Sequence, residues 1–264
     1  MLTRSNYFAP ENEWDFFGST QFKSFLKCEA AEMARLNGEY KPGTTTALLV
    51  GSYVDAFFEG RLNEFIAEHP EILNSRNGAL KAEYKHANAI IERCGRDRTF
   101  SRFMSGEKQV IIAAELFGHP FKIRIDSYHP GKMIVDLKVM KDFEPVYVPG
   151  KGKLNFIEAF GYDIQGAIYQ AVEQQARIDA GETDAEKLPF YLACATKQET
   201  PDIAIFEIPQ YKLDAALKIV EHYIDEFAAV KDGEIYPKRC ERCEYCRATK
   251  RLKGPVILED MQNE

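Results

Sequence analysis

An α/β fold, in which a small mixed β-sheet is flanked by helices behind a helical N-terminal portion, is the architecture this sequence predicts. Three observations carry it. Between positions 110 and 208, short apolar or alternating runs recur with turn residues between them, as strands do. Before position 105, and again over 163–180 and 211–231, apolar residues recur at three- and four-residue spacing, as on helices. At 264 residues, with 45% hydrophobic and 28% charged side chains, the chain has the length and composition to bury one sizeable core. A single domain over 1–264 is expected.

In chain order, residues 1–18 show no periodicity and are expected to form a loosely packed arm. Ser19 is placed as an N-cap, and Phe22, Phe25, Leu26, Met33 and Leu36 predict one helix ending at Gly38, with Cys28 inside it. A second helix is predicted from Thr46 to Glu59, a short one over Arg61–Pro70 and another over Lys81–Cys94. Val110–Leu116 reads as the first strand, and Gly118 and Pro120 mark the turn into a second, Phe121–Ser127. His129–Lys132 turns the chain into a third strand, Met133–Val139. Lys141–Asn155, rich in Lys, Pro and Gly, is expected to be a long loop whose Lys151 and Lys153 are candidate phosphate contacts. Then follow a helix from Asp163 to Ala180, strands over Phe190–Thr196 and Ile203–Ile208, and a helix over Tyr211–Lys231. Lys197, just past the first of those strands, is another candidate phosphate contact.

The chemistry centres on the third strand. Side chains alternate across a strand, so Met133, Val135, Leu137 and Val139 share an apolar face while Asp136 and Lys138 point the other way. Asp126, on the preceding strand, can reach the same spot. Two carboxylates and an amine beside a strand suit a hard divalent cation with oxygen ligands, such as Mg²⁺ or Mn²⁺. An acid–x–Lys triplet alone is common on solvated hairpins. Here, however, Asp126 is followed after nine residues by Asp136-Leu137-Lys138, and further on stands Gln165-Gly166-Ala167-Ile168-Tyr169. The first pattern resembles the signature of the PD-(D/E)XK nuclease superfamily. The second resembles the Q-x-x-x-Y motif of its RecB-like branch, and over nearly the whole chain the likeness is to RecE, the exodeoxyribonuclease VIII type of phage exonuclease.

The resemblance implies a restriction-endonuclease-like core over 106–232, a helical portion over 1–105 and a cysteine-rich basic tail over 233–264. It implies a metal held by Asp126, Asp136 and the Leu137 carbonyl, with Lys138 positioning the attacking water and Gln165 and Tyr169 holding the DNA strand. Glu115, at the end of the first strand, is expected to add a third carboxylate to the metal site. Gly51-Ser52-Tyr53-Val54-Asp55 falls where RecB-like nucleases carry a G-x-x-x-H metal-binding motif. Asp55 replaces the histidine, and an aspartate is a harder ligand that suits Mg²⁺.

Six cysteines occur, and three of them, Cys240, Cys243 and Cys246, stand in a C-x2-C-x2-C run among charged neighbours. Such a cluster reads as a metal site. Three close cysteines plus a remote one suit a four-iron, four-sulfur cluster, with zinc as the alternative. The fourth ligand is implied by the resemblance, since iron–sulfur members of the RecB-like group draw one cysteine from the N-terminal helices, where Cys28 lies. Cys94 and Cys194 are read as core residues.

The formal net charge of −7 argues against a nucleic-acid partner unless a local basic surface exists. Lys238–Lys253 provides one, with seven Lys or Arg against two Glu. No apolar run is long enough to span a bilayer and no signal-peptide pattern opens the chain, so a cytoplasmic protein is expected. DNA is the expected substrate, and the resemblance adds a phage single-strand annealing protein as a partner and a ring-forming homo-oligomer. A non-catalytic DNA-binding or assembly module on a nuclease fold is the alternative reading.

Overall fold

A computed structural model describes residues 1–252 and Gly254. The helical portion comprises α1 (Pro10–Asp15), α2 (Ser19–Lys27), α3 (Glu29–Leu36), α4 (Thr46–Phe58), α5 (Leu62–Glu68), α6 (Ala82–Arg96) and α7 (Arg98–Phe103). Then come β1 (Glu107–Leu116), β2 (His119–His129), β3 (Met133–Met140), a small hairpin of β4 (Val146–Val148) and β5 (Gly152–Leu154), α8 (Phe156–Ala159) and α9 (Tyr162–Asp179). The chain continues through β6 (Phe190–Thr196), β7 (Ile203–Glu207), α10 (Gln210–Lys231) and α11 (Glu244–Ala248).

Five strands form one sheet in the order β1-β2-β3-β6-β7. Only β3 and β6 run parallel, joined across the intervening α9; the other neighbours are antiparallel. The sheet is mixed and flanked by helices, as the sequence predicts. One face packs Phe121, Ile123, Ile125, Ile134 and Leu192 against α2, α9 and α10. The other packs Val135, Leu137, Ala193 and Ala195 against α4, α6 and α7. Burial on both faces explains why β3 is apolar almost throughout, a pattern typical of a central strand. Cys94 and Cys194 are fully buried, one in each core.

Gly166 lets α9 approach the sheet. A Cβ there would lie 2.7 Å from Phe190 and 2.9 Å from Leu213. The close approach carries Gln165 and Tyr169 down onto β2 and β3.

The structure corrects three local expectations. The Lys141–Asn155 stretch is not a plain loop, because β4 and β5 pair within it. The segment from Ser19 to Gly38 is not one helix: Cys28 is extended (φ −170°, ψ 104°) and separates α2 from α3. The break turns Cys28 towards the tail, where Ala30 N–H donates to the Lys238 carbonyl (3.0 Å) and Glu29 Oε2 accepts from Lys238 N–H (2.8 Å). Residues 1–18 are not a loose arm either. Tyr7 and Phe17 are buried, and Phe17 pairs with β2 through Phe17 N to Pro120 O (2.8 Å) and Lys122 N to Phe17 O (2.9 Å).

The reason for that last departure lies in β2. Its pairing with β3 covers only Ser127↔Val135, Tyr128↔Ile134 and His129↔Met133. Beyond Ser127 the two strands part, leaving the backbone of residues 120–125 without a β3 partner. Buried backbone groups must find partners elsewhere. Phe17 serves Pro120 and Lys122, and the Tyr169 hydroxyl donates to Arg124 O (3.0 Å).

Candidate active site and cysteine centre

The site sits in the fork where β2 and β3 separate. Asp126 is the first residue past the last ladder pair, and its Oδ2 accepts the Leu137 N–H at 2.8 Å, replacing a strand–strand bond with a side-chain one. Gln109, opposite Asp126 on β1, donates through Nε2 to Oδ1 at 3.0 Å. Asp136 is 2% exposed and faces α9, where Gln165 Nε2 donates to its Oδ1 at 2.7 Å. Its Oδ2 pairs with the Lys138 ammonium. Asp55, on α4, closes the arrangement from the other helix layer. All these groups except Gln109 line one cleft of about 420 Å³, together with Leu137 and Tyr169.

Electrostatics in the fork are unbalanced. Burial, and then the charge of Asp136, push the Asp126 carboxyl up to about 6. Burial, and then Asp126, raise Asp55 well above its ordinary range. Burial works against the Lys138 ammonium, but the neighbouring Asp136 and Asp126 outweigh it and its pKa is raised. Three crowded acids against one amine fit a hard divalent cation. The donor set is oxygen only, as Mg²⁺ or Mn²⁺ requires.

A measurable consequence follows. A carboxyl raised to about 6 in the fold, from an ordinary 3.8, binds more protons folded than unfolded between those values. Metal-free stability should therefore fall as pH rises through that window. Mg²⁺ at a hundred times its pH 7.5 dissociation constant should then raise the unfolding temperature at pH 7.5 by about 5–10 °C, and by about half as much at pH 5. Scanning fluorimetry reads this; an equal shift at both pH values would exclude Asp126 as a ligand.

Not every expected residue arrives. Glu115 is exposed at the far end of β1, opposite Pro120. Because β1 and β2 are antiparallel, the end of one strand lies beside the start of the other. Glu115 is thus six ladder positions from Asp126, about 20 Å along the strands. The expectation that it feeds the metal site is wrong on direction alone. Gln109 occupies the place instead, in left-handed backbone (φ 54°), and nothing in its sequence context points to it. Gln165 and Tyr169 do reach the cleft, but both are buried and spend their polar groups on Asp136 and on Arg124 O. The structure gives them positioning contacts where DNA contacts were expected.

The second cluster joins the chain ends. The Sγ atoms of Cys28, Cys240, Cys243 and Cys246 all lie within 4.8 Å of one another, Cys28 to Cys246 at 3.5 Å. Backbone N–H groups of Cys243 and Cys246 donate to Cys240 Sγ and Cys243 Sγ, stabilising thiolate character. The tail's basic charge is partly spent locally: Lys238 pairs with Glu226 and Arg239 with Glu241. Lys253 and residues beyond Gly254, expected to end the basic patch, lie outside the described residues. Among the described residues no helix is long and apolar enough to cross a membrane.

Comparison with known proteins supplies the context. The family described as "PDDEXK-like domain of unknown function (DUF3799)" matches residues 18–249. The crystal structure of a "Putative exonuclease" from Eubacterium rectale is similar to the chain at 43% identity and a TM-score of 0.91, covering 100% of this chain and 98% of its own. No curated protein matches.

Proposed function

This chain belongs to the PDDEXK-like family DUF3799, and from that premise we propose that it is a metal-dependent deoxyribonuclease acting from DNA ends. The observation that carries the reading is the fork: two strands held apart so that Asp126, Asp136 and Lys138 share one cleft with Asp55.

In this reading Asp126, Asp136 and the Leu137 carbonyl hold Mg²⁺ or Mn²⁺, and Asp55 supports them. The cation, when bound, polarises a phosphoryl oxygen and acidifies water. Lys138 presents a fixed positive charge beside Asp136 to orient the attacking water and offset charge growing on the phosphate. Gln165 fixes the rotation of the Asp136 carboxylate, and Tyr169 pins the freed edge of β2. A phage-type recombination exonuclease, working with a single-strand annealing protein, is the setting that the sequence motifs support.

The four-cysteine centre is read as a structural metal site. Sulfurs gathered within 4.8 Å are close to the edge of a tetrahedron about one ion, about 3.8 Å for zinc–sulfur bonds of about 2.3 Å. A four-iron cube would hold its thiolates further apart. The sulfur spacing thus favours zinc where the sequence spacing favours iron–sulfur.

End-labelled linear duplex and closed circular DNA, each with Mg²⁺ and with EDTA, test the activity. Linear DNA should disappear with Mg²⁺ alone, and circular DNA should survive. Nicking of circles would make the enzyme an endonuclease. Intact DNA of both forms, with folded protein and Mg²⁺, would leave the binding-module alternative.

A further inference from the structure

A second hollow, of about 410 Å³, opens from the same wall as the cleft and shares Thr20, Asp55, Leu137, Lys138 and Gln165 with it. Its chemistry is different. Lys23, Lys138 and Lys197 edge it, Thr45 and Ser52 add hydroxyls, and Asp55 is its only acid. That is a concentration of positive charge on a chain whose net charge is −7.

Lys23 is the unexplained member. It stands on α2, over the Tyr162 ring at 5.5 Å from the centroid, while Lys138 lies over the same ring at 5.2 Å. Two ammonium groups therefore share one aromatic ring. Lys138 has Asp136 as its counter-ion, but among the described residues no carboxylate forms an ion pair with Lys23. Burial, and then the charge of Lys138, push its amine down to about 8. A cation held this way gains most when an anion joins it. Lys197 reaches in from the end of β6, its Nζ donating to Ala47 O at 3.2 Å in the first turn of α4.

We propose that this hollow seats a second, unreacting phosphate of the DNA strand, with Lys23 and Lys197 as its charged donors. The seat rests on the nuclease reading. It adds a grip on the backbone beside the scissile bond, where the cleft's own Arg35, Lys122 and Lys138 are each paired with an acid. A strand held at two successive phosphates has its reacting group placed without any base being read, so cleavage would be insensitive to sequence.

The test uses K23Q, K197Q and the exposed-surface control K218Q in the full-length protein. Binding of a labelled duplex is followed by fluorescence anisotropy with Ca²⁺ in place of Mg²⁺, and hydrolysis by steady-state kinetics with Mg²⁺. K23Q and K197Q should each weaken binding about tenfold and flatten its salt dependence by about one unit of slope, as loss of one charged phosphate contact does. KM should rise much more than kcat falls, and K23R should restore most of the loss. Oligonucleotides carrying one methylphosphonate, moved position by position, locate the seat. Wild type should be impaired at one site flanking the scissile bond, and the variants should lose nothing further there. Variants that bind like K218Q, or that keep the wild-type sensitivity at every position, overturn the seat while leaving the nuclease standing. Wild type that neither binds nor cuts DNA removes both.

Discussion

Asp136→Asn should slow phosphodiester hydrolysis by about 10³-fold or more, the scale on which active-site electrostatics operate, while leaving the fold in place. Asn is nearly the same shape, and its Oδ1 can still accept from Gln165 Nε2, the bond Asp136 makes at 2.7 Å. The other atom becomes an amide nitrogen facing the Lys138 ammonium. It can neither neutralise that cation nor ligate a metal. Repulsion with Asp126 and Asp55 is relieved at the same time, because both are raised partly by the charge of Asp136. The unfolding temperature of metal-free protein should therefore change little, and the Mg²⁺-induced rise should vanish. Calorimetry and a nuclease assay on the same preparation separate the effects. A folded Asp136→Asn variant with wild-type turnover would remove this residue from the chemistry.

Cys28→Ser should release the tail and empty the cysteine centre. Of the four sulfurs only Cys28 comes from the N-terminal portion, and it meets Cys246, 218 positions further along the chain. Structural metal sites contribute folding energy directly, and α11 packs on little besides this centre. Elemental analysis of wild type should give one zinc per chain in colourless protein, and the variant should give none. Limited proteolysis should then cut between 233 and 252 well before the core. The damage should also reach the cleft, since Ser24 on α2 and Glu32 and Arg35 on α3 line it from either side of Cys28. Brown protein with stoichiometric iron would put a cluster there in place of zinc. Metal-free wild type with an intact tail would end the metal reading altogether.

The sequence was most legible where one residue type at one spacing has few physical uses. Asp136-Leu137-Lys138 in an apolar strand, Gln165 with Tyr169 on one helix edge, and three cysteines among charges each announced themselves. The structure brings Asp126, Asp136, Lys138, Gln165 and Tyr169 into one cleft, and gathers Cys28 with the tail cysteines. What stayed hidden depends on strand direction and on distant backbone. Glu115 would join the acids only if the end of β1 lay beside the end of β2, and the antiparallel ladder sets it against Pro120 at the start of β2. Cys28 looked helical because its neighbours on both sides are, and only its reach to Cys246 explains the break. Gln109 and Lys23 carried no pattern at all. The first matters through its register with Asp126, the second through the ring it shares with Lys138.

Phe17's backbone bonds to β2 have one more implication. A sheet that keeps two neighbouring strands apart to make room for chemistry also leaves a bare ribbon of amides, a template on which a stray chain can nucleate. Here the polypeptide's own leading segment occupies that ribbon. A substitution that dislodged Phe17 would bare the Pro120 carbonyl and the Lys122 amide on that ribbon, and clumping is the expected first sign.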